Sequence, residues 1–188
     1  MEDLGQQRID DLLASIASDT IAPAAGTSIG IAGAFGLAQL DMAAIHLDVD
    51  DPAPIRDQLD SDRRTMLELG ARDARLVDKA FGSSGDITDE MYLQLAEIPI
   101  TTAETALSGI HTGLELIDGR DEPAVPDAVC GLWLLRSVLA AAVMIARINV
   151  PYVPDDVDRD AMKERLDRLD TLAEESVEAI EDRTAAFG

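Results

Sequence analysis

Apolar residues recur every three or four positions through almost every long segment of this chain, the spacing of helices that bury one face. These segments are rich in Ala, Leu, Glu, Arg and Met, and none alternates apolar and polar residues over the length of a strand. The pattern predicts an all-α fold, a helical bundle forming a single domain over residues 1–188. It places about six or seven helices at residues 4–18, 26–47, 54–81, 87–97, 99–118, 126–150 and 156–185.

Prolines and glycines mark the predicted breaks between helices. Pro54 follows an acidic run and opens the third helix, and the glycine- and serine-rich residues 82–85 end it. Pro151 separates the last two helices. Pro99 predicts either a helix start or a kink, because proline cannot donate a backbone hydrogen bond.

Two predicted helices, 26–47 and 126–150, are apolar on nearly all sides, whereas the last helix is amphipathic. We therefore expect the first two at the centre of the bundle and the last on its outside. Two such helices are more than a bundle of 188 residues readily covers, so the pattern favours a homodimer that buries them. A well-wrapped monomeric core is the alternative.

The chain is strongly acidic, with 37 Asp and Glu against 15 Lys and Arg and a net charge of -22. Such a surface repels nucleic acid and anionic membranes. Lys79 and Lys163 are the only lysines, and an Asp-rich, Lys-poor composition is typical of proteins adapted to molar salt. An acidic surface for a basic partner is the alternative.

The N-terminus lacks a signal-peptide pattern and the most apolar run, 129–146, contains Arg136, so we expect a cytoplasmic protein outside the membrane.

The residues that most often bind metals are scarce. Cys130 is the only cysteine and lies in an apolar stretch, which predicts a small buried hydrophobic side chain. His46 and His111 are the only histidines, and neither forms a recognisable ligand cluster. We expect no metal site.

The stretch 18–38 carries the most specific pattern. A loop containing Pro23 and Gly26 opens directly into a helix whose later glycines fall on one side, at Gly30, Gly33 and Gly36. A side without Cβ atoms admits either another helix or a flat ligand, and the helix start offers free N–H groups to an anion. Because no strand precedes them, these glycines do not form a dinucleotide-binding loop.

Residues 21–27 resemble the Pro-Thr-Pro-Gly-Gly-Gly-Ser signature of the methenyltetrahydrofolate cyclohydrolase and formiminotetrahydrofolate cyclodeaminase family. Pro23 and Gly26 match, Thr27 keeps a hydroxyl, and the other four positions differ. Further segments resemble the family in the same order along the chain, so that the resemblance covers about residues 8–180. These segments are 72–74, 96–99, 122–127 and 147–150.

The resemblance implies a reaction at a one-carbon unit between two nitrogens of tetrahydrofolate, with the folate as substrate and no metal or redox cofactor. It implies Asp73 and Asp127 as catalytic residues. It implies substrate-binding residues in the loop and at the end of the apolar helix: Pro23, Ala24, Ala25, Gly26, Thr27, Ser28, Arg147 and Asn149. Structural alternatives remain open, since Asp127 suits a helix start, Arg147 suits a helix end and Asp73 could be a solvated charge.

The leading prediction is hydrolysis of 5,10-methenyltetrahydrofolate to the 10-formyl product, because cyclodeaminases of this family are often fused to a transferase domain. Cyclodeaminase activity, which closes the formimino form and expels ammonia, is one alternative. The other is a helical paralogue that binds folate or a partner protein without turnover. It is suggested by Ala24 and Ala25 in place of glycines, by Pro126 before Asp127, and by Ile145 where an asparagine is expected.

Overall fold

The computed structural model describes residues 4–82 and 86–185, and within these ranges the chain forms helices and short connections without a strand. The fold is the all-α bundle that the pattern predicts. Short 3-10 turns occur at Leu4–Gln6 and Val150–Tyr152. The six α-helices are α1 (Ile9–Ile16), α2 (Ala25–His46), α3 (Ala53–Phe81), α4 (Asp89–Ile117), α5 (Val125–Asn149) and α6 (Asp156–Thr184).

Two boundaries differ from the predicted ones. The segment 4–18 is a 3-10 turn followed by the short α1, and the two helices predicted around Pro99 are the single helix α4. Pro99 lies inside α4 and has no N–H to donate to the carbonyl of Leu95, four residues earlier. The Asn149 side chain supplies that bond instead, since its Nδ2 donates to the Leu95 oxygen at 2.7 Å. This explains how α4 continues through the proline.

Helices α2 and α5 pack against each other, and both contact α4, while α3 covers α2 and α6 covers α5. Glycines allow the closest approaches. A Cβ added at Gly36 would lie 3.0 Å from the Gly131 oxygen, and one added at Gly30 would lie 2.7 Å from the Met66 oxygen of α3. The glycine side of α2 therefore serves helix packing at these positions, around fully buried leucines such as Leu37, Leu40 and Leu135.

Helix α6 lies on the outside, as its amphipathic pattern predicts, and buries Met162, Leu166 and Ile180. Arg165 joins it to α4, where its guanidinium donates to both oxygens of Glu97 and to Glu104, each at 2.9 Å. These two carboxylates raise the pKa of Arg165 above its ordinary value. The outer helix is thus fixed to the core by a charged pairing as well as by apolar packing.

The two apolar helices each keep one face exposed, although their other faces form the core. The exposed fraction is 51% for Phe35 and 53% for Ile45 on α2, and 57% for Met144 and 60% for Ile148 on α5. Cys130 is also exposed, contrary to the prediction of a buried side chain, because it lies on the outward face of α5. The prediction that both helices lie at the centre of the bundle is therefore correct for their buried faces and wrong for the face that each leaves exposed.

The segments Ala25–His46 and Val125–Tyr152 are long and apolar enough to span a membrane by length and composition, a test that core helices of bundles also pass. In this fold, 44% of each apolar window is buried within the bundle. Packing against α3, α4 and α6 gives these segments a structural reason for their composition.

Candidate functional site

The start of α2 meets α3 at a buried carboxylate. The backbone N–H of Thr27 donates to Asp73 Oδ2 at 2.9 Å, and Thr27 Oγ1 lies 3.3 Å from the same oxygen. Thr27 Oγ1 also lies 3.1 Å from the carbonyl oxygen of Gly70. The hydroxyl has one proton, so when it donates to Gly70 its oxygen can accept a proton from a neutral Asp73. Asp73 thus has a polar partner in either protonation state.

Gly26 is the loop glycine that this arrangement requires. A Cβ at Gly26 would lie 2.2 Å from Asp73 Oδ1, so any side chain there would displace the carboxylate. Ala24 and Ala25 meet no such conflict. The φ of Ala24 is -112°, and among the described residues only glycine adopts a positive φ. The two alanines are therefore compatible with this backbone, although glycines stand there in the family signature.

Burial governs the acidity of Asp73, which is 8% exposed. Desolvation raises the pKa of this carboxyl above its ordinary value, and the two hydrogen bonds from Thr27 offset part of that rise. No ion pair to Asp73 forms within the described ranges. A buried carboxyl with a raised pKa is suited to take up and release a proton during a reaction.

The other loop residues with a predicted binding role flank Gly26 and Thr27 in the chain. Pro23, after a cis peptide bond, and Ala24 are half-buried, Ala25 is exposed, and the half-buried Ser28 donates to the Ala24 oxygen at 3.4 Å. The structure therefore brings Gly26 and Thr27 of the predicted loop together with Asp73, although Thr27 and Asp73 are 46 positions apart in the chain.

Asn149 lies at the same end of the bundle but already has a structural partner. Its target Leu95 belongs to the apolar cluster that includes Leu69 and Leu76, the α3 residues on either side of Asp73 along the chain. The Asn149 amide completes α4 next to Pro99, which gives this residue a structural role independent of substrate.

Arg147 is engaged with α6 instead of capping its own helix. Its guanidinium forms ion pairs with Asp170 and, at 3.5 Å, with Asp167. These contacts direct it towards the outer helix. Both ion pairs use Nη2 of Arg147, whose side chain is half exposed.

Asp127 lies at the opposite end of α5 and is exposed. Helix α5 runs antiparallel to α2, with Gly131 packed against Gly36. At 1.5 Å per residue, Asp127 and Thr27 are therefore roughly 20 Å apart along the bundle. Within one chain the two predicted catalytic carboxylates do not share a site, and Asp127 occupies the helix-start position that was its structural alternative.

A second buried carboxylate, Asp62, was missed by reasoning from the sequence. It accepts hydrogen bonds from Gln58 at 2.9 Å and from Ser108 at 3.1 Å, and desolvation raises its pKa. The sequence did carry a signal for Asp62. It stands eleven residues before Asp73, and this spacing puts the two aspartates on the same face of α3. His46 and His111 are exposed, and the described part of the chain holds no group of three His, Cys, Asp or Glu side chains able to bind a metal.

The family model described as formiminotransferase-cyclodeaminase matches residues 8–168, which is most of the chain. The protein belongs to the formiminotransferase-cyclodeaminase family. Its fold is similar to that of a formiminotetrahydrofolate cyclodeaminase from Thermotoga maritima, with a TM-score of 0.86 and 16% sequence identity. The match covers 97% of this chain and 98% of that one. No curated protein matches the sequence. The family that the loop signature predicted is thereby confirmed, and the structural match extends the shared fold over nearly the whole chain.

Proposed function

We propose that this member of the family is a formiminotetrahydrofolate cyclodeaminase. The observation that carries the proposal is the Gly26–Thr27–Asp73 arrangement, found in a chain of this family whose fold is similar to that of a cyclodeaminase. The cyclohydrolase reaction, which was the leading prediction, now stands second because these comparisons favour the cyclodeaminase.

The proposed reaction closes a ring and expels ammonia. N10 of the folate attacks the carbon of the protonated formimino group on N5, which forms the second C–N bond and turns the C=N bond to the terminal nitrogen into a single bond to an amino group. The bond from that carbon to its amino group then breaks, giving the methenyl bridge. One proton must leave N10, and the departing amine must gain one. A single carboxyl that first accepts and then returns a proton satisfies both steps.

We assign that proton transfer to Asp73. Its raised pKa brings proton uptake and release closer to neutral pH, and the Thr27 N–H holds Oδ2 at 2.9 Å. The start of α2 also places the positive end of a helix dipole beside this carboxylate. Thr27 and Gly26 act as positioning residues, because one fixes the carboxylate and the other leaves it room.

The test is a direct assay of purified protein in molar salt. With 5-formiminotetrahydrofolate, we expect the near-ultraviolet absorbance of the methenyl product to rise together with an equal amount of free ammonia. A cyclohydrolase would instead consume methenyltetrahydrofolate without producing ammonia. Absence of both reactions in protein that binds folate would support the non-catalytic paralogue.

We further propose that a second copy of the chain covers the exposed apolar faces of α2 and α5. Over these two helices the only acidic residues are Asp41 and Asp127, although the chain carries 37 in total. Two copies can therefore approach through this surface with less charge repulsion than through other surfaces. Phe35, Met144 and Ile148 would lose their exposure there.

A further inference from the structure

Two tyrosines from distant parts of the chain stack on each other. Tyr92 belongs to α4 and Tyr152 to the 3-10 turn after α5, and their ring centroids are 6.0 Å apart with 18° between the ring planes. In the part of the chain that the structure describes, neither hydroxyl forms a hydrogen bond. Tyr92 is half-buried, whereas Tyr152 is 62% exposed although one of its faces lies on Tyr92. The other face of Tyr152 is therefore open to a flat ring, which stacks on tyrosine in an offset arrangement.

The tyrosine pair lies at the end of the bundle that holds Asp73. Tyr92 stands three residues before Leu95, and Tyr152 stands three residues after Asn149. The Asn149 amide donates to the Leu95 oxygen at 2.7 Å, which brings these two segments together. Leu95 also packs in the cluster that includes the α3 leucines on either side of Asp73. The pair and the carboxyl of the proposed site thus belong to the same end.

Tyr92 is turned towards the interior of the bundle at that end. On α4, Met91 and Leu95 pack against α3, and Ala96 and Ile100 belong to the main core. At 3.6 residues per turn, Tyr92 is about 100° from Met91 and about 40° from Ala96 around the helix axis. It therefore lies between the side of α4 that contacts α3 and the side that contacts the main core.

Asp73 is turned towards the same interior from α3. Around the axis of α3, it lies between Gly70, which packs against Thr27 of α2, and Leu69 and Leu76, which pack against α4. Asp73 and the tyrosine pair therefore face a common space at the end of the bundle.

The contact between Asp62 and Ser108 gives the distance along the bundle between Asp73 and the pair. The Ser108 hydroxyl of α4 donates to Asp62 of α3 at 3.1 Å, so these two residues lie at one level. At 1.5 Å per residue, Asp73 is about 16 Å from that level and Tyr92 about 24 Å, in the same direction. The pair is therefore about 8 Å nearer the end of the bundle than Asp73.

This arrangement distinguishes between the two ring systems of a folate. The pterin carries hydrogen-bond donors and acceptors along its edges and needs polar partners, which the start of α2 offers with Thr27 and Ser28. The p-aminobenzoyl ring has only C–H groups along its sides and needs an aromatic or apolar face. It is attached to N10, so it is the first flat group beyond a reacting carbon held at Asp73. The open face of Tyr152 suits this ring.

We propose that the Tyr92–Tyr152 pair binds the p-aminobenzoyl ring of the folate substrate, which stacks on the open face of Tyr152. This inference rests on the proposed function. Tyr152 is then a substrate-binding residue, and Tyr92 is the positioning residue that supports its ring. Because the p-aminobenzoyl ring is bound alike before and during the reaction, the pair lowers KM without changing kcat.

The test is calorimetric titration in molar salt with tetrahydrofolate, p-aminobenzoylglutamate and 6-methyltetrahydropterin. Tyr152→Leu removes the ring but keeps an apolar side chain. It should weaken binding of the first two ligands about fivefold and leave that of the pterin unchanged. Tyr152→Phe keeps the ring face and should bind all three as the wild type does. Phe35→Leu is the matched control, because it removes a 51% exposed ring from α2 and should change no affinity.

The ammonia-release assay separates this inference from the proposed function. Tyr152→Leu should raise KM about fivefold and keep kcat within about twofold of the wild type. Folate binding that depends on Tyr152, in a protein that releases no ammonia, would support the pair and contradict the proposed function. Unchanged affinity and KM in Tyr152→Leu would overturn the pair and leave the function standing. A wild type that binds none of the three ligands would contradict both.

Two further results would contradict stacking of the p-aminobenzoyl ring. Selective loss of pterin affinity in Tyr152→Leu would place the pterin at the pair, and equal losses in Tyr152→Phe and Tyr152→Leu would assign the effect to the hydroxyl. A labelling measurement on the wild type does not depend on how the variants fold. Bound p-aminobenzoylglutamate should slow the iodination of Tyr152, followed by mass spectrometry, and equal labelling with and without this ligand would overturn the proposal.

Discussion

Asp73 and Asp62 form a natural pair for comparison at the scale of single residues. Both are buried on α3, both accept hydrogen bonds from neutral donors, and burial raises the pKa of both. They differ in their neighbours, because Asp73 faces the loop at the start of α2 and Asp62 faces Ser108 of α4. A variant of Asp62 therefore removes a buried carboxyl with a raised pKa from the same helix without touching the proposed site.

The raised pKa values make a prediction about stability and pH. A carboxyl whose pKa is higher in the folded state favours folding while it is protonated, and this contribution is lost as pH rises through the folded-state pKa. Asp73→Asn and Asp62→Asn should therefore each stabilise the protein most above that raised pKa and least below the ordinary aspartate range. Denaturant unfolding at several pH values measures this. A gain in stability that grows as pH falls would contradict it.

Sequence reasoning succeeded with residues in local motifs and failed where a role depends on distant contacts. Gly26, Thr27 and Asp73 were all found by motif, and the structure brings them together. Asn149 was found too, but its partner Leu95 stands 54 positions away, and no local pattern reports such a contact. The engagement of Arg147 with α6 is hidden for the same reason.

At the scale of elements, α4 shows how two residues far apart in the sequence compensate each other. Pro99 removes a backbone donor from the helix, and the Asn149 side chain replaces it. The pattern correctly placed helix on both sides of Pro99, because the apolar spacing there is strong. It could not show that the helix continues, since continuity depends on a side-chain donor from the end of α5. The break within 4–18 was missed because that segment is short, and its conformation depends on packing of Leu4 and Leu12 against Ala71 of α3.

This compensation can be tested with a double-mutant cycle. Asn149→Ala should destabilise the protein by about 1–3 kcal/mol, because the Leu95 carbonyl then loses its donor. Pro99→Ala supplies a backbone N–H that can reach the same carbonyl. In that background, Asn149→Ala should cost about 1 kcal/mol less. The measurement is chemical unfolding of the four proteins, and additive effects would show that the two residues are not coupled.

At the scale of the whole molecule, charge and apolar surface are unevenly distributed. Only two acidic residues, Asp41 and Asp127, lie on α2 and α5. The exposed apolar side chains Phe35, Ile45, Met144 and Ile148 lie on the same two helices. The sequence correctly indicated two unusually apolar helices. Which faces would stay exposed depends on how the helices pack against each other, and hydrophobic periodicity in a nearly all-apolar helix does not reveal this.

The net charge of -22 predicts a dependence of stability on salt. The Debye length grows from about 3 Å at 1 M to about 10 Å at 0.1 M, so repulsion among the acidic side chains strengthens on dilution. We expect the melting temperature to fall markedly over that range, or the chain to unfold. Thermal scans followed by circular dichroism measure it. The same melting temperature at both concentrations would exclude adaptation to high salt.

The proposed interface predicts the mass of the particle in solution. Light scattering in high salt should give about twice the chain mass of 20.1 kDa. Ile148→Asp, on the exposed face of α5, should give the mass of one chain. Val157→Asp is the matched control, because Val157 is 77% exposed on α6 and should leave the dimer intact. A wild-type monomer at all concentrations would remove the interface proposal.

The most direct test of the central claim is the rate of ammonia release from 5-formiminotetrahydrofolate by the wild type, Asp73→Asn and Asp62→Asn. If Asp73 transfers the proton, its variant should be slower by about a hundredfold or more while keeping its helical spectrum. Asp62→Asn changes an equally buried carboxyl of the same helix and should stay within about threefold of the wild type. Equal loss in both variants, or wild-type rates in Asp73→Asn, would contradict the assignment of catalysis to the Gly26–Thr27–Asp73 site.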